Sequence, residues 1–138
     1  MRDIKHIVVH CSATPEGRPH TAADIRGWHK AQGWADIGYH WVVRLDGTVE
    51  AGRDELQIGS HVAGYNSHSI GVVYIGGVDK VKLQPKDTRT DAQKAALLVL
   101  LKKLKKRYPK AVILGHRDFP RVAKACPSFN AKAEYAGL

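Results

Sequence analysis

Residues Ala111–Phe129, AVILGHRDFPRVAKACPSF, decide how the rest of the chain is read. The run Val112-Ile113-Leu114 is apolar and largely β-branched, the composition of a short buried strand. It hands over to a loop at His116, and ten residues further on stands Cys126, with Lys124 before it and Pro127 after it. A histidine at a strand end and a cysteine in the loop that follows can meet at one point in space. Imidazole nitrogen and thiolate sulfur both suit zinc (Zn2+), but two ligands do not hold it. The best third ligand is His10, at the end of another apolar run in IVVHCSAT. His10, His116 and Cys126 would leave one tetrahedral position open, as a catalytic zinc site does.

Plainer readings compete with this one. A single histidine at a strand end is most often hydrogen-bonded packing, and a single cysteine is most often a small buried hydrophobe. Adding Cys11 would make a closed set of two cysteines and two histidines, which is a structural zinc site. Adjacent residues of a strand point to opposite faces, so Cys11 faces the core if His10 faces a metal. The open site with one ion per chain is the preferred reading.

Working outward, Ile4–Val9 reads as a buried strand, and a loop with Pro15, Gly17 and Pro19 follows. Thr21 is placed to cap a helix ending near Gln32, with Asp24 in the first turn where the helix dipole favours negative charge. Tyr39–Leu45 is rich in aromatic and β-branched residues, and Asp46-Gly47 signals a tight hairpin returning through Thr48–Ala51. The glycine-rich stretch 52–67 has no period and reads as a long loop, and long loops in compact domains are usually functional or disordered. Ser69–Ile75 is a further buried strand, and 78–88 is a polar, mobile excursion. Thr90 with Gln93 forms a capping box opening the longest helix, 91–107. Leu97, Leu100, Leu101, Leu104 and Tyr108 make its buried stripe, and Pro109 ends it. This alternation predicts an α/β fold, a single domain over residues 1–138 with a central sheet flanked by helices.

Composition sets outer bounds. Hydrophobic residues at 43% and charged residues at 25% are globular values. No segment reaches the roughly 18 apolar residues of a membrane span, and the N-terminus does not read as a signal peptide. The two cysteines make no disulfide framework. Synthesis in the cytoplasm is the expectation. The formal net charge of +9 includes six basic residues between Lys102 and Lys110, best read as the solvated face of a helix. No helix-turn-helix or aromatic interleaving points to a specific nucleic-acid partner.

Six segments go further than spacing does: HCSAT, GYHWVV, DGTVEAGRDE, GSHVAGYN, SIGVVYIGG and KACPSF. In this order they resemble the type 2 N-acetylmuramoyl-L-alanine amidases, above all the phage amidase-type lysozymes related to peptidoglycan recognition proteins. The resemblance runs from about Ile7 to Phe129 and implies a mixed sheet. It also implies zinc-dependent cleavage of the amide between N-acetylmuramic acid and L-alanine. Tyr39 and Lys124 match that family's catalytic tyrosine and lysine, Tyr39 beside the zinc-bound water and Lys124 at the oxyanion. The loop carrying His61 and Asn66 would line the groove for peptidoglycan or muropeptide, making both substrate-binding candidates. The run RDFPRVAKAC is longer than in the phage lysozyme-like members. His40 alternates with Tyr39 and should point away from it, and His6, His20, His29 and His68 carry no signal.

The function so implied is that of a monomeric, endolysin-like enzyme that reaches the cell wall after release. A muropeptide-binding module on the same fold is the second reading, though it would have no use for three ligands around an open position. A basic polyanion-binding protein is the third.

Overall fold

The computed structural model describes residues 2–138. Its main sheet has five strands in the order β4-β3-β5-β1-β7: β1 is His6–Cys11, β3 Trp41–Val43, β4 Val49–Ala51, β5 Ser69–Tyr74 and β7 Val112–Gly115. Only β3 and β4 run antiparallel, joined at the Asp46-Gly47 hairpin, and every other pairing is parallel. The sheet is therefore mixed, with β1 held between β5 and β7. A second, two-stranded parallel sheet pairs β2 (Thr14–Pro15) with β6 (Gly77–Val78).

Strand alternation sorts the core onto two faces. Ile7, Val9, Ile70, Val72 and Tyr74 point to one side and pack on Leu97, Leu100, Leu101 and Leu104 of helix α2, Asp91–Arg107. Val42 and Val73 point to the other side, against Ala22 and Ile25 of helix α1, Ala22–Ala31. Val8 joins that second side, under Val62 and Phe119. His10 shares parity with Val8, so it too lies on the α1 face.

Both helices begin with the predicted capping boxes. Thr21 and Asp24 exchange side-chain and backbone bonds, and Thr90 and Gln93 do the same. Gln93 then reaches inward, its amide donating to the carbonyls of Ile75 and Val43 at 2.9 and 3.4 Å. The polar stretch expected to be a mobile excursion is tied down, because β6 pairs with β2 and Val78 bridges Pro85. Its turn is closed by Asp79, whose carboxylate accepts from the backbone of Val81 and Lys82.

A short helix, α3 (Ala131–Glu134), packs beside β7 and is clamped to the rest by Arg89. The Arg89 side chain is 2% exposed. It donates to Asp87 and to Glu134, and stands 3.4 Å over the Phe129 ring. Arg89→Ala should destabilise the protein by about 3 kcal/mol in urea unfolding. That is the low end for breaking a buried pair, since Asp87 and Glu134 can rehydrate. Bonds from Arg89 hold the Glu134 carboxyl below its ordinary 4.5, and outweigh burial to hold Asp87 below 3.8. A depressed carboxyl stabilises the fold above its unfolded pKa, and that contribution is lost as pH falls. The variant should accordingly lose less stability on acidification below about pH 4.5 than the parent does.

Candidate active site

Parallel pairing creates the site. Val9 of β1 is level with Gly115 of β7, so His10 and His116 stand one step further along neighbouring strands. Their ring centroids are 4.6 Å apart. The position lies past the C-terminal ends of adjacent strands, where open α/β sheets usually bind ligands.

The loop after His116 folds back to bring the third residue in. Arg117 N–H donates to the Cys126 carbonyl at 2.8 Å, and Tyr74 hydroxyl donates to the Pro127 carbonyl at 2.6 Å. Ser128 hydroxyl donates to the Gly77 carbonyl at 2.9 Å. Cys126 Sγ accepts from Cys11 N–H at 3.2 Å and lies 3.9 Å from His10 Nδ1. One ligand atom each from His10, His116 and Cys126 falls within 4.8 Å of the others.

The chemistry of these donors fits a metal cation. Burial, with Lys124 adding to it, lowers the His116 pKa, and burial drives His10 well below its ordinary value. Both rings are therefore neutral near pH 7 and offer lone pairs. The adjacent Cys11 thiol and burial push the Cys126 thiol up. A bound divalent cation reverses that balance by taking the thiolate as ligand, and the Cys11 N–H is already aimed at the sulfur. Cys11 lies in the core with Tyr74 and Phe129 and outside the ligand cluster, its thiol adjoining Cys126 from behind.

Around this centre, the Tyr39 ring is 5.0 Å from that of His10, and burial raises its hydroxyl pKa. Lys124 is exposed and shares a groove of 460 Å³ with His116. The longer run after His116 thus keeps its lysine beside the site. His61 and Asn66 line the same groove. Three of their four polar side-chain atoms, however, already have partners. Asn66 Oδ1 accepts from the backbone of His61 and Val62 at 2.9 and 2.8 Å, fixing the loop. His61 Nδ1 is 2.9 Å from His10 Nε2, and its Nε2 is 3.2 Å from Ser69 Oγ. Burial lowers the His61 pKa to about 3, so this ring is neutral as well.

His40 points away from Tyr39, as its place on the strand implied. It accepts from Gly71 N–H at 3.0 Å and contacts the Gln57 carbonyl at 2.8 Å. Trp34 and Arg121 line the groove without having been marked by the sequence. The loops that bear them are far apart in the chain, and nothing in their local composition shows that they meet.

Three comparisons bear on the site. A family profile described as N-acetylmuramoyl-L-alanine amidase matches residues 1–129. The endolysin of Klebsiella phage KP32 is 50% identical over 131 residues, covering 95% of this chain and 85% of its own. Among solved structures, the N-acetylmuramoyl-L-alanine amidase LysC from Clostridium intestinale URNW superimposes with a TM-score of 0.77 at 28% identity, over 96% of this chain and 82% of its own. Drosophila PGRP-LB does so with a TM-score of 0.78 at 26% identity, over 100% and 82%.

Proposed function

This chain belongs to the N-acetylmuramoyl-L-alanine amidase family and is a peptidoglycan amidase, and from that premise we propose that it works with one zinc ion held by His10, His116 and Cys126. The observation carrying this reading is the convergence of those three ligand atoms at the C-terminal ends of β1 and β7, at a groove that Lys124 shares. When bound, zinc supplies an activated water and polarises the scissile carbonyl.

The chain's own residues do the rest. Tyr39, whose ring packs against His10, keeps its hydroxyl proton across the neutral range because burial raises its pKa, and would offer that proton to a water held by the metal. It orients the attacking oxygen by hydrogen bonding. Lys124 brings a positive charge to the groove rim, where negative charge gathers on the carbonyl oxygen as the amide is attacked. The groove between the loops of His61 and Lys124 receives the muropeptide.

The whole chain acts as one catalytic domain and as a monomer. By extension from relatives named endolysins, it works on the cell wall after release from the producing cell. No described helix is long and apolar enough to cross a membrane.

Digesting purified sacculi and identifying the new chain ends tests the reaction, and elemental analysis of the same preparation tests the ion. One zinc per chain with free L-alanine amino termini is expected, and a metal-free protein that still cleaves would overturn the zinc assignment. Cys11→Ser should keep its zinc, because the Cys11 side chain lies in the core and stands outside the cluster of three ligand atoms, meeting the site only through its contacts with Cys126. A folded Cys11→Ser protein without zinc would bring back the closed four-ligand site.

A further inference from the structure

The loop residue His61 was expected to touch substrate, yet its ring is fitted into the sheet on the His10 side. A Cβ built on Gly71 of β5 would lie 2.8 Å from the His61 ring, and one on Gly59 would lie 2.9 Å from it. Real Cβ contacts are almost never that short, so any side chain at either glycine would push the ring out of its slot. Two glycines and the Asn66 clamp on the loop backbone together fix where the ring stands.

The hydrogen bonds at that ring have only one consistent direction. Ser69 is fully buried, and its single hydroxyl proton goes to the Tyr65 carbonyl at 3.0 Å. Toward His61 Nε2, 3.2 Å away, Ser69 Oγ can therefore only accept, and His61 Nε2 carries the proton. A neutral imidazole has one protonated nitrogen, so His61 Nδ1 is a bare acceptor. The nitrogen facing it at 2.9 Å is His10 Nε2, which must then be the protonated one. That leaves His10 Nδ1 unprotonated, and Nδ1 is the atom 3.9 Å from Cys126 Sγ.

We propose that His61 is a positioning residue that sets the tautomer and ring orientation of His10, through the chain Tyr65 carbonyl–Ser69–His61–His10, so that His10 offers Nδ1 to the metal. This rests on the zinc reading given above. Metal-ligating histidines commonly donate their second N–H to an outer partner, usually a carboxylate or carbonyl. Here another imidazole takes that place. It carries no charge, so it fixes the geometry without adding negative charge behind the metal.

The test has two parts. In wild-type apoprotein at neutral pH, labelled at the histidine ring nitrogens, two-bond proton–nitrogen correlations should show His10 protonated at Nε2 and bare at Nδ1. Zinc affinity, measured by competition with a chromophoric chelator, should fall roughly 10- to 100-fold in His61→Leu, the usual cost of losing an outer-shell partner. His61→Asn, whose amide oxygen reaches about where Nδ1 stood, should recover most of that loss. A part played only in packing would not separate these two variants, and a part in substrate binding would leave zinc affinity unchanged in both. His10 protonated at Nδ1 overturns the inference even if neither variant folds. So does a folded His61→Leu protein that binds zinc as tightly as wild type. A wild-type protein that takes up no zinc overturns the metal reading itself, a separate result from either of these.

Discussion

Cys126→Ser protein should come out of purification with almost no zinc and with amidase turnover below detection, while keeping its fold. A serine hydroxyl does not ionise at neutral pH, so the substitution removes the one anionic ligand and leaves two imidazoles. Two ligands do not retain the ion. The loss in affinity should exceed the roughly 10- to 100-fold that removal of an outer-shell partner costs. His10→Ala should behave in the same way, since it takes out the ligand at the centre of the site. Elemental analysis reads the metal directly, and circular dichroism checks that the overall fold is kept. The parent protein should also lose thermal stability on treatment with a chelator, because an ion bound only by the native state stabilises that state. Full zinc occupancy in both variants would remove Cys126 and His10 from the site.

Lys124→Ala and Tyr39→Phe should keep both zinc and fold but turn over a soluble muropeptide about 100- to 1,000-fold more slowly, the scale for losing one preorganised donor to an oxyanion. The fall should appear in kcat with KM little changed, because the charge these residues meet develops only in the transition state. Lys124 has a reason to matter beyond proximity. Its charge already acts on the site, adding to burial in lowering the pKa of His116 and, after larger contributions, that of His10. A weaker KM with unchanged kcat would make Lys124 and Tyr39 parts of the groove wall instead. Near-parental kcat in Lys124→Ala alone would mean that the cation is not needed at the carbonyl oxygen.

What could be read from the sequence was local. The two capping boxes, the Asp46-Gly47 hairpin and the leucine stripe of α2 depend on residues a few positions apart, and all formed where expected. Strand limits were less legible. Ladder pairing moves β1 from the expected 4–9 to His6–Cys11, although Lys5 still bonds to His68 and Val112 at its edge. The strand expected at 39–45 shrinks to Trp41–Val43, because the carbonyls of Gly38 and Tyr39 turn to Ser60 and Arg53 of the long loop. The two-residue strands β2 and β6 are too short for any periodicity to announce them.

The candidate site shows the same division. His10 and His116 stood out by residue type and by their places at strand ends, and Cys126 as the cysteine of the loop that follows. What brings them together is the register of β1 against β7, and no local pattern specifies that. The place of His61 is harder still to foresee. Its ring position follows from glycines on two different segments, Gly59 and Gly71, and those glycines are visible in the sequence without any sign of what fills the space they leave.

The position of β1 between β5 and β7 has a consequence for the newly made chain. His10 leaves the ribosome well before β7, the neighbour that levels it with His116, which comes more than a hundred residues later. Cys126 follows later still, and the Arg89 clamp on Glu134 closes only after that. A chain that reaches only to the end of α2 holds His10 without its two partners, with β1 unsupported on one edge. A nascent chain that has folded β1, β5 and α2 therefore has most of its core and none of its metal-binding chemistry.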